Sequence, residues 1–295
     1  MRRIAVSTGK ILLFLAIWAA LLAAVTVTAV KGGGEAWYDK IGWRYFAEVG
    51  GAGAVVCAFL VMAFVVDKRG PSTLGFPLAA GPSDLVFGTM IGGLIFLVPL
   101  GVLLAMGAAK VDVDLSQFDG TALLAGLGFT LFNVVHQELL VRSYMFQELW
   151  TKYGAIVATV VTTVIFVAMH TGAIVSGPQG PIAGLNILFA SILLSLAYVR
   201  SGALWLPIGI HFGWNGLQGP ALQINVTGTD IALGDWRFLS FNGPDLWTGG
   251  TLGVEGGLAG LAGPIAGILI VVFFIRKRRR LVEPAPSGVS VPVLI

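Results

Sequence analysis

The chain has 295 residues, of which 56% are hydrophobic and 11% charged, and its mean hydropathy is +0.89. A soluble domain carries about a quarter of charged residues and cannot bury this much apolar surface, so that class is excluded. The single cysteine, Cys57, excludes an intramolecular disulfide and a cysteine metal cluster, and the net charge of +3 does not indicate nucleic-acid binding.

Eight apolar stretches are long enough, or nearly so, to cross a hydrocarbon core, which takes about 20 helical residues. They lie near 8–30, 50–66, 85–107, 121–149, 154–173, 181–199, 203–218 and 257–275. We therefore predict an all-α fold, a polytopic membrane bundle of about eight transmembrane helices. It forms a single transmembrane domain over residues 1–280, followed by a disordered cytoplasmic tail at 281–295.

The first apolar stretch follows Arg2 and Arg3 but is longer than the apolar region of a signal peptide, which predicts a retained helix. If this helix runs outward, most basic residues lie in the cytoplasm: Arg2, Arg3, Lys10, Lys68, Arg69, Lys152, Arg200 and the run 276–280. Fewer lie outside: Lys31, Lys40, Arg44, Lys110 and Arg237. The positive-inside rule then predicts that both termini are cytoplasmic. We separately expect the membrane to be a bacterial or archaeal plasma membrane.

Two longer connections, 32–50 and 219–256, fall outside the membrane in this topology. Both contain tryptophans, including Trp236 and Trp247 in the second. These aromatic residues are typical of interfacial anchors, but a segment as long as 219–256 could also fold over the bundle as a lid. The sequence leaves both interpretations open.

The fourth apolar stretch contains His136, Gln137, Glu138 and Arg142. Each ion near the centre of a membrane helix costs about 2.5 to 3.5 kcal/mol on insertion scales. Glu138 and Arg142 are four residues apart, share a helix face and can neutralise each other. On its own this pair is consistent with a structural ion pair.

Three more polar residues lie in later predicted spans. His170 ends the sequence Phe166-Val-Ala-Met-His170, and His211 is followed four residues later by Asn215, on the same helix face. Buried polar groups in a membrane must face one another, so we expect Glu138, His170 and His211 to converge on one cavity.

Such a cavity contains what hydrolysis needs, since carboxylates and imidazoles activate water and an amide stabilises an oxyanion. His170, His211 and Glu138 would also be a possible zinc ligand set, although no His-Glu-x-x-His motif is present. A serine or cysteine nucleophile is not indicated, because Cys57 is remote and no serine lies in a Gly-x-Ser-x-Gly sequence.

Three motifs resemble those of the CAAX-processing and bacteriocin-processing proteases, the CPBP or Abi family of intramembrane metalloprotease-like proteins. Gln137-Glu138-Leu-Leu-Val-Arg142 is similar to the family's Glu-Glu-x-x-x-Arg; Phe166 and His170 match Phe-x-x-x-His; His211 and Asn215 match His-x-x-x-Asn. The approach Tyr198–Pro207 is also similar, and order and spacing agree over about 121–218.

The resemblance implies an intramembrane endopeptidase that hydrolyses a peptide bond of a membrane-associated or prenylated peptide. The family's first glutamate and two histidines activate water, Asn assists at the oxyanion, and a divalent metal such as zinc is left open. The implied site residues are Gln137, Glu138, Arg142, His170, His211 and Asn215, and the implied partners are the lipid bilayer and a peptide or prenylated protein substrate.

Gln137 departs from the family pattern, because it replaces the first glutamate and an amide cannot take a proton from water at neutral pH. Glu138 or His136 could serve as the base instead. Alternatively, the protein is a proteolytically silent relative that acts as a membrane binding, immunity or scaffold protein. Intramembrane Glu, Arg and His are also components of proton-coupled carriers, although the inverted repeats of many carriers are not visible here.

Overall fold

The structure is a computed structural model that describes residues 2–31, 42–70, 73–77, 81–229 and 233–276. The predicted tail at 281–295 and much of the 32–50 connection lie outside the described residues. Within the described ranges the α-helices are α1 (Arg2–Lys31), α2 (Gly42–Leu60), α3 (Gly81–Ala105), α4 (Gly120–Arg142), α5 (Tyr144–Met169), α6 (Thr171–Ile174), α7 (Gly180–Ser201), α8 (Trp205–Gly216), α9 (Asp245–Thr248) and α10 (Ala262–Phe274). The prediction of an all-α polytopic helix bundle is confirmed.

Among the described residues, five helical stretches are long and apolar enough to cross a membrane: Ile4–Thr28, Phe46–Val66, Gly81–Ala105, Gly120–Met169 and Gly180–Ser201. The fourth of these contains both α4 and α5. Two of the eight predicted spans are shorter helices than expected. The predicted span 203–218 is α8, of 12 residues, continued by a π-helical turn at Leu217–Ala221. The span 257–275 begins as a 3-10 turn at Leu258–Leu261 before α10.

The predicted fourth span, 121–149, is wrong at its end, because the helix breaks at Ser143. The backbone of Ser143 is non-helical (φ −81°, ψ −107°), and α4 ends at Arg142. A second break follows at Gly154, whose φ of 88° is left-handed and interrupts α5. Residues 144–153 therefore form a short helical segment between two long ones.

Helices α3 and α8 cross at very short distance because glycines line the contact on both. A Cβ atom added to Gly92 would lie 2.1 Å from the carbonyl oxygen of Ile210, and one added to Gly213 would lie 2.1 Å from that of Thr89. Small residues at a contact between two membrane helices let their backbones approach closely. This contact fixes the position of α8, which carries His211 and Asn215.

A two-stranded antiparallel sheet was not predicted. Strand β1 (Ala109–Asp114) follows α3 and pairs with β2 (Arg237–Phe241) from the 219–256 segment. Trp236 is 2% exposed, donates from Nε1 to the carbonyl oxygen of Ala221 and packs against Phe118. Trp236 is thus a packing residue of this segment, and this burial favours the interpretation in which the segment folds against the bundle.

Candidate active site

Glu138 and Arg142 form a completely buried ion pair on α4. Arg142 Nη1 donates to Glu138 Oε1 at 2.8 Å, and both side chains are 0% exposed. Arg142 Nη2 also donates to the backbone oxygen and Oγ of Ser191 on α7, and the guanidinium lies 4.9 Å from the Phe166 ring centroid. Each charge has its counterion inside the protein, so the pair offsets the cost of ions in an apolar interior and links α4 to α5 and α7.

His211 on α8 donates to the same carboxylate. Its Nδ1 lies 2.8 Å from Glu138 Oε1. A carboxylate can only accept, so Nδ1 carries the proton of this bond and Nε2 is the ring atom left for another partner. Glu138 therefore holds His211 in one orientation.

His170 terminates α5, and its ring is fixed by its own helix. Nδ1 lies 2.7 Å from the carbonyl oxygen of Phe166, which can only accept, so Nε2 is again the available ring nitrogen. The Phe166 ring centroid lies 4.7 Å from the ring of His170 and 6.1 Å from that of His211. The structure thus brings His170 and His211 together around Phe166, with Glu138 bound to His211.

A cavity of about 630 Å³ opens beside these residues. Its polar lining side chains are Glu48, Asn133, His136, Gln137, His170, Asn186, His211, Asn215, Thr227, Thr229 and Glu255. Glu138 and Arg142 are not among the lining residues. Of the residues expected at the site, Gln137, His170, His211 and Asn215 reach the cavity, whereas Glu138 and Arg142 lie behind it.

Gln137 lines this cavity. Its Nε2 donates to Asn133 Oδ1, one helical turn earlier, at 2.9 Å, and its Oε1 is buried without a hydrogen-bond partner within the protein. An amide oxygen can bind the hydrogen of a water or a peptide N–H but cannot remove a proton.

His136, the preceding residue, pairs with Glu48 on α2 across a Nδ1 to Oε2 distance of 3.2 Å. Sequence reasoning did not select Glu48, since no motif surrounds it.

Glu255 is a second cavity carboxylate that the motifs did not reveal. It lies in a 3-10 turn at Val254–Gly256 and accepts hydrogen bonds from Trp214 Nε1 at 2.8 Å and Thr227 Oγ1 at 2.5 Å. Burial raises the pKa of the Glu255 carboxyl above its usual range. The 219–256 segment thus folds over the bundle and supplies Thr227, Thr229 and Glu255 to the cavity.

The arrangement does not fit a metal site. Within the described part of the chain, no group of three or more His, Cys, Asp or Glu side chains has metal-binding geometry. Oε1 of Glu138 is bound by Arg142 and His211, its Oε2 is buried without a partner, and the residue lies outside the cavity that the two histidines line. The three possible zinc ligands named from the sequence therefore do not form one open ligand set.

Comparison with family models matches residues 119–217 to the family described as type II CAAX prenyl endopeptidase Rce1-like. The chain is similar to this family over about a third of its length. The matched segment contains all three motifs recognised in the sequence, whereas Glu48 and Glu255 lie outside it. Comparison with curated proteins and with solved structures gives no significant match.

Proposed function

We propose that this protein is a member of the CAAX-protease family and an intramembrane endopeptidase that hydrolyses a peptide bond of a membrane-associated or prenylated peptide. The observation that supports the proposal most is that Gln137, His170, His211 and Asn215, from separate motifs, line one cavity. A cavity of this size accommodates a short extended peptide segment together with a water molecule.

The hydrogen bonds already made in the protein limit what each imidazole does. His170 presents Nε2, with Nδ1 held by the Phe166 carbonyl, so it can accept a hydrogen bond from the attacking water and aim it. His211 and Asn215 share one face of α8, where the Asn215 amide can donate to the oxygen of the scissile carbonyl and His211 Nε2 can accept a hydrogen bond from the water or the substrate. Glu138 is a positioning residue in this scheme, because it touches His211 rather than the cavity.

Cleavage of fluorescence-quenched peptides by the purified protein tests this proposal. The panel includes farnesylated peptides ending in a CAAX sequence and unmodified peptides. We expect the wild type to cleave at least one of them and His170→Ala or His211→Ala to lose about 10²-fold or more in rate. Glu148→Gln is the matched control, since Glu148 is buried beside Ser7 and does not line the cavity. A folded wild type that cleaves no peptide in the panel contradicts the proposal.

A second candidate function follows from Gln137 and Glu138. Gln137 places an amide at the position of the family's first glutamate, and the carboxylate of Glu138 does not line the cavity. A proteolytically silent member would bind a peptide in the same cavity and leave it intact. Gln137→Glu distinguishes the endopeptidase from the silent member. If the wild type is inactive and Gln137→Glu cleaves peptides, Gln137 is a disabling change. If Gln137→Glu lowers the cleavage rate of an active wild type, another base operates.

A further inference from the structure

The cavity contains carboxylates that the family motifs do not supply. Among the described lining residues these are Glu48 and Glu255. Hydrolysis needs a group that takes a proton from water, and Gln137 cannot do so. Glu138 cannot replace it directly, because its side chain is 0% exposed and does not line the cavity.

Glu48 reaches the turn of α4 where the missing glutamate would be. Its Oε2 lies 3.2 Å from Nδ1 of His136, which immediately precedes Gln137. Its side chain is 24% exposed and lines the cavity, so it remains accessible to a bound water. Gly51 allows this close approach of α2, since a Cβ atom there would lie 2.4 Å from Cε1 of His136.

Glu255 is less available than Glu48 to accept a proton from water. One oxygen accepts from Trp214 and the other from Thr227, and the residue is 8% exposed. Burial raises the pKa of Glu255, which favours the protonated form over the form that could accept a proton. Its contacts fasten the 219–256 segment to α8, whereas Glu48 has the single described partner His136.

We propose that Glu48 is the catalytic carboxylate of this protein and replaces the glutamate absent at position 137. The proposal rests on the endopeptidase function proposed above. The Glu48 carboxylate takes one proton from the attacking water while the oxygen forms a bond to the scissile carbonyl carbon. The C–N bond then breaks, and the proton passes from Glu48 to the leaving nitrogen, so the products are a carboxylic acid and an amine. His136 is a positioning residue that orients Glu48 through Nδ1.

Four proteins decide this proposal in the peptide cleavage assay: wild type, Glu48→Gln, Gln137→Glu and the double variant. Glu48→Gln keeps an acceptor for His136 and the side-chain shape, so the fold is preserved while the base is removed. We expect it to lower the cleavage rate about 10²-fold or more. In the Glu48→Gln background, Gln137→Glu returns a carboxylate to the family position and raises the rate again by at least about ten-fold. Glu148→Gln, remote from the cavity, stays at the wild-type rate.

Several outcomes overturn the assignment. Wild-type cleavage that persists in Glu48→Gln removes Glu48 from catalysis and leaves the endopeptidase function intact. Loss of cleavage in Glu255→Gln with no loss in Glu48→Gln assigns the role to the other carboxylate. A wild type that is inactive until Gln137→Glu is introduced shows that Glu48 does not act as the base. If neither the wild type nor Gln137→Glu cleaves any peptide, both proposals fail.

Discussion

Glu138 and Arg142 each depend on the other for a countercharge, because both are completely buried. Removing one member of such a pair leaves an uncompensated charge in an apolar interior, which costs more than the pair itself contributes. At the residue scale, the fold therefore requires this pair. The pair also affects the candidate site, because Glu138 orients His211.

Glu138→Gln tests this dependence. It leaves the Arg142 guanidinium without its carboxylate, and we expect it to lower the free energy of unfolding by about 3 to 5 kcal/mol. Reversible unfolding in mixed detergent measures the change. The double variant Glu138→Gln/Arg142→Met should be more stable than Glu138→Gln alone, because no buried charge remains. A double variant whose loss equals or exceeds the sum of the single losses contradicts this account.

Glu255 predicts a dependence of stability on pH. Burial raises its pKa in the folded protein, so between the usual carboxyl pKa and the raised one the folded state holds a proton that the unfolded chain has released. The contribution of the protonated Glu255 carboxyl to the free energy of unfolding is therefore lost as the pH rises from the usual carboxyl pKa through the raised one. The melting temperature, measured from about pH 4 upward, should fall less steeply for Glu255→Gln than for wild type. An identical slope in the two proteins, with Glu148→Gln as the control, would refute the prediction.

At the scale of secondary-structure elements, the crossing of α3 and α8 controls the site from outside it. The two backbones approach at Gly88, Gly92, Gly209 and Gly213. Since α8 carries His211 and Asn215, any displacement of this helix moves two of the cavity residues together.

Gly92→Ala and Gly93→Ala are a matched pair for this crossing. The Cβ atom of Gly92→Ala would lie 2.1 Å from the carbonyl oxygen of Ile210, whereas that of Gly93→Ala would lie 3.7 Å from Leu217 Cδ2. Overpacking typically costs about 1 to 3 kcal/mol, so we expect Gly92→Ala to be less stable and less active, with Gly93→Ala close to wild type. Thermal unfolding and peptide cleavage measure both effects. Equal behaviour of the two variants would show that the helices can separate without cost.

Parts of the site could be predicted from the sequence where the interacting residues are close to each other in the chain. Spacing of four residues placed Glu138 with Arg142 and His211 with Asn215 on shared faces, and these relationships need no knowledge of the fold. Glu48 and Glu255 could not be predicted in this way, because their partners lie on other elements. The helix end at Ser143 was missed for a local reason, since neither Pro nor Gly marks the break.

At the scale of the whole molecule, the family-matched segment 119–217 does not form the cavity alone. Helix α2 adds Glu48, α3 supports α8, and the 219–256 segment adds Thr227, Thr229 and Glu255. Two carboxylates of the cavity thus come from outside the matched segment. With glutamine at position 137, the cavity has acidic groups from its flanking elements.

The proposed function requires that this cavity hydrolyses a peptide bond with water. Cleavage of a susceptible peptide in water enriched in heavy oxygen, followed by mass spectrometry of the products, detects this reaction. We expect one heavy oxygen atom in the new C-terminal carboxyl group and loss of the labelled product in His170→Ala and His211→Ala. Labelled product that forms equally well without these histidines, or a folded wild type that yields no product, would contradict it.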